Sequence, residues 1–174
     1  MVDVVVEVAE KVFKGVRKSF ESGAVYVSRK LSRQVRFSVN KIDVVKEWDE
    51  IEISVLAEKE KKSIIVGLSF PAMAKIDEIS RKIQKALEIT PPKPYYAPLP
   101  EPAEKYPEIK DAFDKDTIEK PEVMVDMAKT AIDEALKEGV KKVAGAVYAN
   151  EYWIALITTA GFKDSFSWTN AYID

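Results

Sequence analysis

The sequence contains neither cysteine nor histidine. Without cysteine there is no disulfide and no thiol nucleophile. Without histidine the commonest metal ligand and the commonest general base are both missing, so neither a Ser-His-Asp nor a Cys-His site can be assembled. Zinc would have to rest on carboxylates alone, an unusual donor set. This inventory argues against a complete hydrolase. A basic excess is missing too: 27 Lys and Arg stand against 29 Asp and Glu, with a net charge of -2 and the signs interspersed. Proteins that neutralise phosphates show a basic face, so direct nucleic-acid binding is not expected. No apolar run reaches the roughly 18 residues that span a bilayer, so no membrane span is expected. The opening Met1-Val2-Asp3-Val4-Val5-Val6-Glu7 carries acids and lacks a basic leader. It does not read as a secretory signal, and the expected compartment is the cytoplasm. Amides are scarce, three Asn and two Gln against abundant Lys and Glu, which leans toward a heat-adapted source.

What is present is ordinary in bulk. At 174 residues, 47% hydrophobic and 32% charged, the chain is long enough for one large or two small globular domains with a real core. Its proline is concentrated: seven of the nine prolines lie between Pro91 and Pro107. Proline lacks a backbone donor and biases the preceding residue away from the helix, so this passage continues neither a helix nor a central strand. If fully extended, its 17 residues would span about 50 Å. On each side stands an amphipathic helix ending at a glycine, followed by strand-like runs. The expected fold class is therefore α+β, two helix-plus-antiparallel-meander units joined by a proline-rich linker. The expected division is 1–90, 91–107 and 108–174.

In the first unit Asp3 can cap a helix whose apolar positions Val5, Val8, Val12, Phe13, Val16 and Phe20 recur at helical spacing, with Gly23 as its stop. Strand-like runs follow at Ala24–Val27, Gln34–Asn40, Asp43–Trp48, Ile51–Val55 and Lys62–Leu68. Their period of two fits an antiparallel sheet with one covered and one solvated face. Turns are expected at Asn40-Lys41, Trp48-Asp49-Glu50 and Lys59-Glu60-Lys61. A second helix starts near Pro71, with Met73, Ile76, Ile79, Ile83, Ala86 and Leu87 as its stripe. Beyond the prolines a short helical turn is expected at Ile109–Phe113. Asp116-Thr117-Ile118-Glu119 has capping-box spacing, and Pro121 suits a first helical turn. The stripe Met124, Met127, Ala128, Ala131, Ile132, Ala135 and Leu136 then runs to Gly139. Three more strand-like runs, Lys142–Tyr148, Tyr152–Thr158 and Asp164–Ile173, are separated by Ala149-Asn150-Glu151 and Ala160-Gly161-Phe162. An offset of 119 places Asn40 on Thr159, but identity across it is poor, so the duplication is one of architecture.

Several groups invite a functional reading. The acids Asp43, Glu47, Asp49, Glu50 and Glu52 suggest a metal or acid-base cluster, yet alternation sends neighbours to opposite faces and a solvated turn or face explains them better. Trp48, Trp153 and Trp168 with Tyr148, Tyr152 and Tyr172 suggest a stacking platform. The basic partners of such a platform are sparse near Trp153 and Trp168, so packing or a partner-facing patch is preferred. Pro91-Pro92-Lys93-Pro94-Tyr95-Tyr96 has the look of an SH3-type or WW-type ligand. A tie laid across the domain by Tyr95, Tyr96 and Leu99 is preferred. Gly145 and Gly161 lack a phosphate-loop pattern. Asn40, Thr158, Thr159, Gly161 and Asn170 form a polar ridge near strand ends, where ligand contacts often lie. The candidate contact residues are therefore Asn40, Thr159, Gly161, Trp153 and Trp168, with no catalytic, cofactor-binding or metal-binding residue.

Four stretches, in order, carry a resemblance to a known family. They are Val35-Arg36-Phe37-Ser38-Val39-Asn40-Lys41-Ile42 leading to Trp48-Asp49-Glu50; the helix Ile76–Ile83; the linker Leu99-Pro100-Glu101-Pro102 to Tyr106; and the helix Val123–Glu138 followed by Gly145-Ala146-Val147-Tyr148 and Ile154–Gly161. The chain resembles the N-terminal part of the TldD/PmbA family, the modulators of DNA gyrase. The resemblance implies an α+β region of a protein more than twice this long, forming a homo- or hetero-dimer through the full-length protein. Some members are zinc-dependent peptidases acting on unfolded peptides or peptide antibiotics, with a His-Glu-x-x-x-His zinc motif in the C-terminal half. This chain has no histidine, so no catalytic residue carries over and zinc is expected only in the C-terminal half of catalytic members. The chain is then either a piece of a longer product, which its end inside a strand-like run favours, or a member of a partner lineage without the motif. The expected role is a non-catalytic scaffold and assembly domain, walling a cleft for extended peptide. The alternative is a free-standing protein-binding module using the aromatic face of the second meander.

Overall fold

The structure, a computed structural model, describes residues 2–69, 75–116 and 120–174. Among the described residues three helices, α1 (Val2–Val16), α2 (Ile76–Ile89) and α3 (Pro121–Lys137), accompany five strands. The strands are β1 (Ser22–Ser38), β2 (Lys41–Lys59), β3 (Lys62–Ser69), β4 (Gly145–Thr158) and β5 (Lys163–Ile173). They form one antiparallel sheet in the order β3-β2-β1-β4-β5, so the fold is α+β as expected and both meanders share a sheet. Two compact units divide the chain. One is Met1–Arg29, Ile51–Glu108 and Trp153–Phe166; the other is Lys30–Glu50, Ile109–Tyr152 and Ser167–Asp174. The Asp3 side chain, Pro71, Met73 and the Thr117–Glu119 part of the capping box lie outside the described residues.

In the first unit the α1 stripe is buried as its spacing requires: Val5, Ala9, Val12 and Val16 are all at 0% exposure. The helix ends at Val16 and tightens into a 3-10 turn over Arg17–Ser19, well before Gly23. Gly23 instead lies inside β1, where a Cβ would run into the Leu56 carbonyl oxygen of the neighbouring strand. Its small size serves close strand approach and not a helix stop. α2 buries Ile79, Ile83 and Leu87 and packs against α1 and β3. Ile53, Val55 and Ala57 of β2, with Val25 and Val27 of β1, complete this core. β2 and β3 turn back on each other through Glu60 and Lys61, both in the left-handed region (φ 53° and 62°), with Lys59 facing Lys62. That is the twist-matched two-residue turn of a tight hairpin.

The proline-rich passage is tied to this unit. Lys93 N–H donates to Lys61 O at 2.9 Å, and the Tyr96 hydroxyl reaches Glu58 Oε2 at 3.5 Å. Tyr106 sets its ring edge-on to Phe162 at 5.3 Å between centroids, while its hydroxyl accepts from Ala103 N–H. Leu99 is half-buried, and Tyr96 behaves as the expected tie. Tyr95 does not: its side chain is 92% exposed.

In the second unit α3 lays Met124, Ala128 and Ile132, an i, i+4 stripe, on Val35 and Phe37 of β1 and Val147 and Ala149 of β4. Met127 and Leu136, expected in that stripe, are exposed at 37% and 39%, because a helix on one flat sheet face buries a narrower arc. The helix ends as its sequence prescribes. Gly139 takes φ +86°, its N–H donates to Leu136 O, and Val140 N–H reaches back to Ala135 O. These two bonds are the Schellman closure.

Three local expectations are corrected. Trp48-Asp49-Glu50 is no turn but the middle of the 19-residue β2. β3 pairs β2 over Glu52–Lys59, so among the described residues the preceding stretch has no strand beyond it, and its acids suit an exposed edge. Ala149-Asn150-Glu151 likewise lies inside β4, buried at 1%, 1% and 5%. A triplet that looks like a turn is a run of strand, with Ala149 and Glu151 on one face, Asn150 on the other, and both polar side chains partnered. Residues 109–113 form no helical turn; Asp111 takes φ 56°, and Thr169 N–H of β5 donates to Ala112 O at 3.0 Å. A segment whose carbonyl serves a strand edge cannot spend it on a helix.

Candidate functional site

The five candidate residues fall into both units. In the first, Thr159 is bound to Gly23 at both backbone groups: its N–H donates to Gly23 O at 2.9 Å and its hydroxyl accepts from Gly23 N–H at 3.0 Å. Gly161, at φ +98°, makes the β4–β5 turn, where its N–H donates to Thr158 O. Trp153 is a core residue, 3% exposed, with the Arg29 guanidinium 5.5 Å from its ring centroid. In the second unit Asn40 holds the β1–β2 turn. Its side-chain oxygen accepts from Val143 N–H at 2.8 Å, its side-chain nitrogen donates to Lys141 O at 3.1 Å, and its own N–H donates to Val143 O. That anchoring accompanies an unusual neighbour, for Val39 sits at φ 49°, a region branched side chains resist. Trp168 is half-buried and stacks on Tyr152 at 4.6 Å and 5°.

Trp168 belongs to a larger arrangement on the sheet face opposite α3. Alternate residues of a strand share a face. On that face Lys30 sets its ammonium 5.5 Å from the Tyr152 ring centroid, and Tyr152 stacks on Trp168. Next, Ser32 Oγ donates to Asn150 Oδ1 at 2.7 Å, and Asn150 Nδ2 donates to Asn170 Oδ1 at 2.8 Å. Then Gln34 Nε2 donates to the Tyr148 hydroxyl at 2.6 Å, and Tyr148 stacks on Tyr172 at 4.8 Å. Three rows thus cross β1, β4 and β5, aromatic outside and amide in the middle. Ser32 is 0% exposed and Asn150 1%, so the row is sealed between β1 and β4, while Asn170 at its β5 end is exposed. The sequence reading missed Ser32, Gln34 and Asn150 as one group. The available signal was parity: 148, 150 and 152 alternate, as do 30, 32 and 34.

On the α3 face of the same unit, a cavity of about 820 Å³ opens beside the first turn of α3. Val35, Val45, Pro121, Met124 and Val125 line it, with Arg33 and Glu47 at its edge. Arg33 Nε donates to Glu47 Oε2 at 2.5 Å and lies 4.0 Å from Glu151. Of the acidic group read from the sequence, Asp43 also has a defined partner, accepting from Arg36 at 2.9 and 3.1 Å. Those hydrogen bonds, aided by the guanidinium charge, hold the Asp43 carboxyl below its ordinary value and raise Arg36 above its own. Among the described residues no group of three or more carboxylates stands close enough to hold a metal ion. In the first unit, Glu58 is 7% exposed and accepts from Ser22 Oγ at 3.0 Å, a buried carboxylate serving the tie at Tyr96.

No protein-family model and no curated protein matches this sequence. Solved structures do match its fold. TldE from Thermococcus kodakarensis is similar over 94% of this chain, with a TM-score of 0.79 at 17% identity. A candidate modulator of DNA gyrase from Bacteroides thetaiotaomicron VPI-5482 is similar over 96%, with a TM-score of 0.82 at 12% identity. Another from Thermotoga maritima MSB8 is similar over 96%, with a TM-score of 0.72 at 17% identity. The chain spans only 37%, 39% and 38% of those three proteins. Its architecture is therefore the one found in TldE and the gyrase-modulator proteins, and the resemblance read from the sequence holds at the level of fold.

Proposed function

We propose that this chain is the N-terminal, non-catalytic scaffold and assembly domain of a TldD/PmbA-type protein. The protein would be either a zinc metallopeptidase or the partner subunit of one. The observation that carries this reading is the fold likeness, nearly complete over this chain and confined to under two-fifths of each matched protein. The residues agree with it. Without His or Cys the chain offers zinc no customary donor, so hydrolysis belongs to another part of the protein. What this chain supplies is a rigid sheet, backed by helices, for dimer assembly and for one wall of a cleft that admits unfolded peptide. The proposed compartment is the cytoplasm; among the described residues no helix is long and apolar enough to cross a membrane. The binding-module alternative keeps Trp168 and Tyr172 as surface groups but not Trp153, whose side chain is 3% exposed.

Peptide held at a sheet edge is read through its backbone more than its side chains. The test is fluorescence anisotropy with a labelled extended peptide and its backbone N-methylated counterpart. N-methylation should abolish binding while side-chain exchanges leave it within a few-fold. Binding that follows side chains and ignores N-methylation would sink the cleft reading and favour the binding module.

A further inference from the structure

The outer edges of the sheet are unlike. β5 begins with Lys163-Asp164, and its middle is taken: besides the Thr169 N–H bond to Ala112, the Thr169 hydroxyl accepts from Asp114 N–H at 2.9 Å. The stretch of β2 that β3 does not reach carries Asp43, Glu47, Asp49 and Glu50. Among the described residues nothing protects β3 in this way. From Ser63 to Ser69 it reads Ser-Ile-Ile-Val-Gly-Leu-Ser, without charge or proline, and Ile65 is 74% exposed. A terminal strand of this kind is a template for another strand.

The hairpin register says what β3 offers. Across the two-residue turn, Lys59 and Lys62 form the closing hydrogen-bonded pair, and bonding alternates from there. Lys62, Ile64, Val66 and Leu68 therefore turn their backbone groups toward β2. Ser63, Ile65, Gly67 and Ser69 turn theirs outward. Ile65 and Gly67 share the face opposite Ile64, Val66 and Leu68. Where a Cβ would stand on Gly67, nothing lies within 4 Å.

We propose that β3 pairs antiparallel with β3 of a second copy of this chain, about a two-fold axis at Val66. In this register each Ile65 lies directly across from Gly67 of the other copy, an exposed side chain over an empty Cβ position. Ser63 faces Ser69 and Ile64 faces Leu68, so the segment is chemically self-complementary. Every outward group finds a partner, because Ser63–Ser69 and Ile65–Gly67 become hydrogen-bonded pairs and Val66 meets its counterpart as a non-hydrogen-bonded pair. A two-residue slip would set Ile65 against Ile65, crowding two branched side chains, and Gly67 against Ser63. The contact is isologous and closes at two copies. It rests on the assembly role proposed above and names its surface; a dimer that does not link through residue 66 would sink this contact and leave that role standing.

Sedimentation equilibrium of the 174-residue chain should show a dimer. Ile65→Lys places a charge on each half of the contact and should give a monomer with an unchanged far-UV circular dichroism spectrum and a melting temperature that no longer depends on concentration. Val66→Cys supplies the only thiol in the protein. Non-hydrogen-bonded pairs bring Cα atoms to about 4.5 Å, within disulfide range, so mild oxidation should link two chains through residue 66. Ser63→Cys, six positions out of register with itself, should stay unlinked. A wild-type monomer at submillimolar concentration, a dimer that survives Ile65→Lys, or equal cross-linking at residues 63 and 66 would each overturn the proposal.

Discussion

The buried Ser32–Asn150 pair gives the sharpest stability prediction. Asn150→Ala removes the acceptor of Ser32, which is 0% exposed, and the donor to Asn170. An orphaned buried hydroxyl costs about 1–3 kcal/mol. The side-chain atoms lost from a site 1% exposed add a cavity term, so the total is roughly 2–4 kcal/mol. For a chain of this length that lowers Tm by about 5–15 °C. Ser32→Ala should cost less, about 1–2 kcal/mol, because it orphans one amide oxygen and removes one atom. The double variant separates hydrogen bonding from packing. Once Ser32 is gone, Asn150→Ala no longer strands a hydroxyl, so the pair should fall short of additivity by about 1–2 kcal/mol. Urea unfolding followed by far-UV circular dichroism reads all three. An Asn150→Ala variant as stable as the parent, or strictly additive costs, would refute the view that this pair is a satisfied polar core.

The two tryptophans once grouped together should part company. Truncating Trp153, buried beside Arg29, should cost about 3–5 kcal/mol, whereas Trp168→Ala on the half-buried face should cost clearly less. Equal losses in thermal unfolding would contradict their placement. The Arg36–Asp43 pair sets a pH signature. Asp43 has a depressed carboxyl in the folded chain, so its small contribution is present above the ordinary carboxylate value and fades as pH falls through the lower folded value. NMR titration should find the Asp43 midpoint below that of a free aspartate, and Arg36→Gln should move it upward; no movement would exclude the pairing.

What the sequence disclosed follows a physical divide. α3 was legible at both ends because its signals are local: Pro121 at the first turn, a 3.6-residue stripe, and Gly139 supplying the positive φ of its closure. The Glu60–Lys61 hairpin was legible for the same reason. Strand continuity was not, since it depends on the far side of the sheet. Asn150 and Glu151 have turn-forming composition, but Ser32, Asn170 and Arg33 satisfy them inside β4. Trp48-Asp49-Glu50 likewise looks like a turn until β3 is seen to stop at Glu52. Helix and linker positions were similarly uneven. Tyr96 finds Glu58 through a fold-dependent contact, and nothing in the Tyr95-Tyr96 pair says which one will.

The central claim concerns what this domain is part of, and mass tests it most directly. The chain itself weighs 19.6 kDa. Intact mass spectrometry of the native gene product, with its reading frame followed past Asp174, should give a protein more than twice that mass. A downstream His-Glu-x-x-x-His would mark the metallopeptidase subunit, and its absence the non-catalytic partner. A native product of 19.6 kDa would contradict the scaffold-domain account and leave the chain as a binding module in its own right.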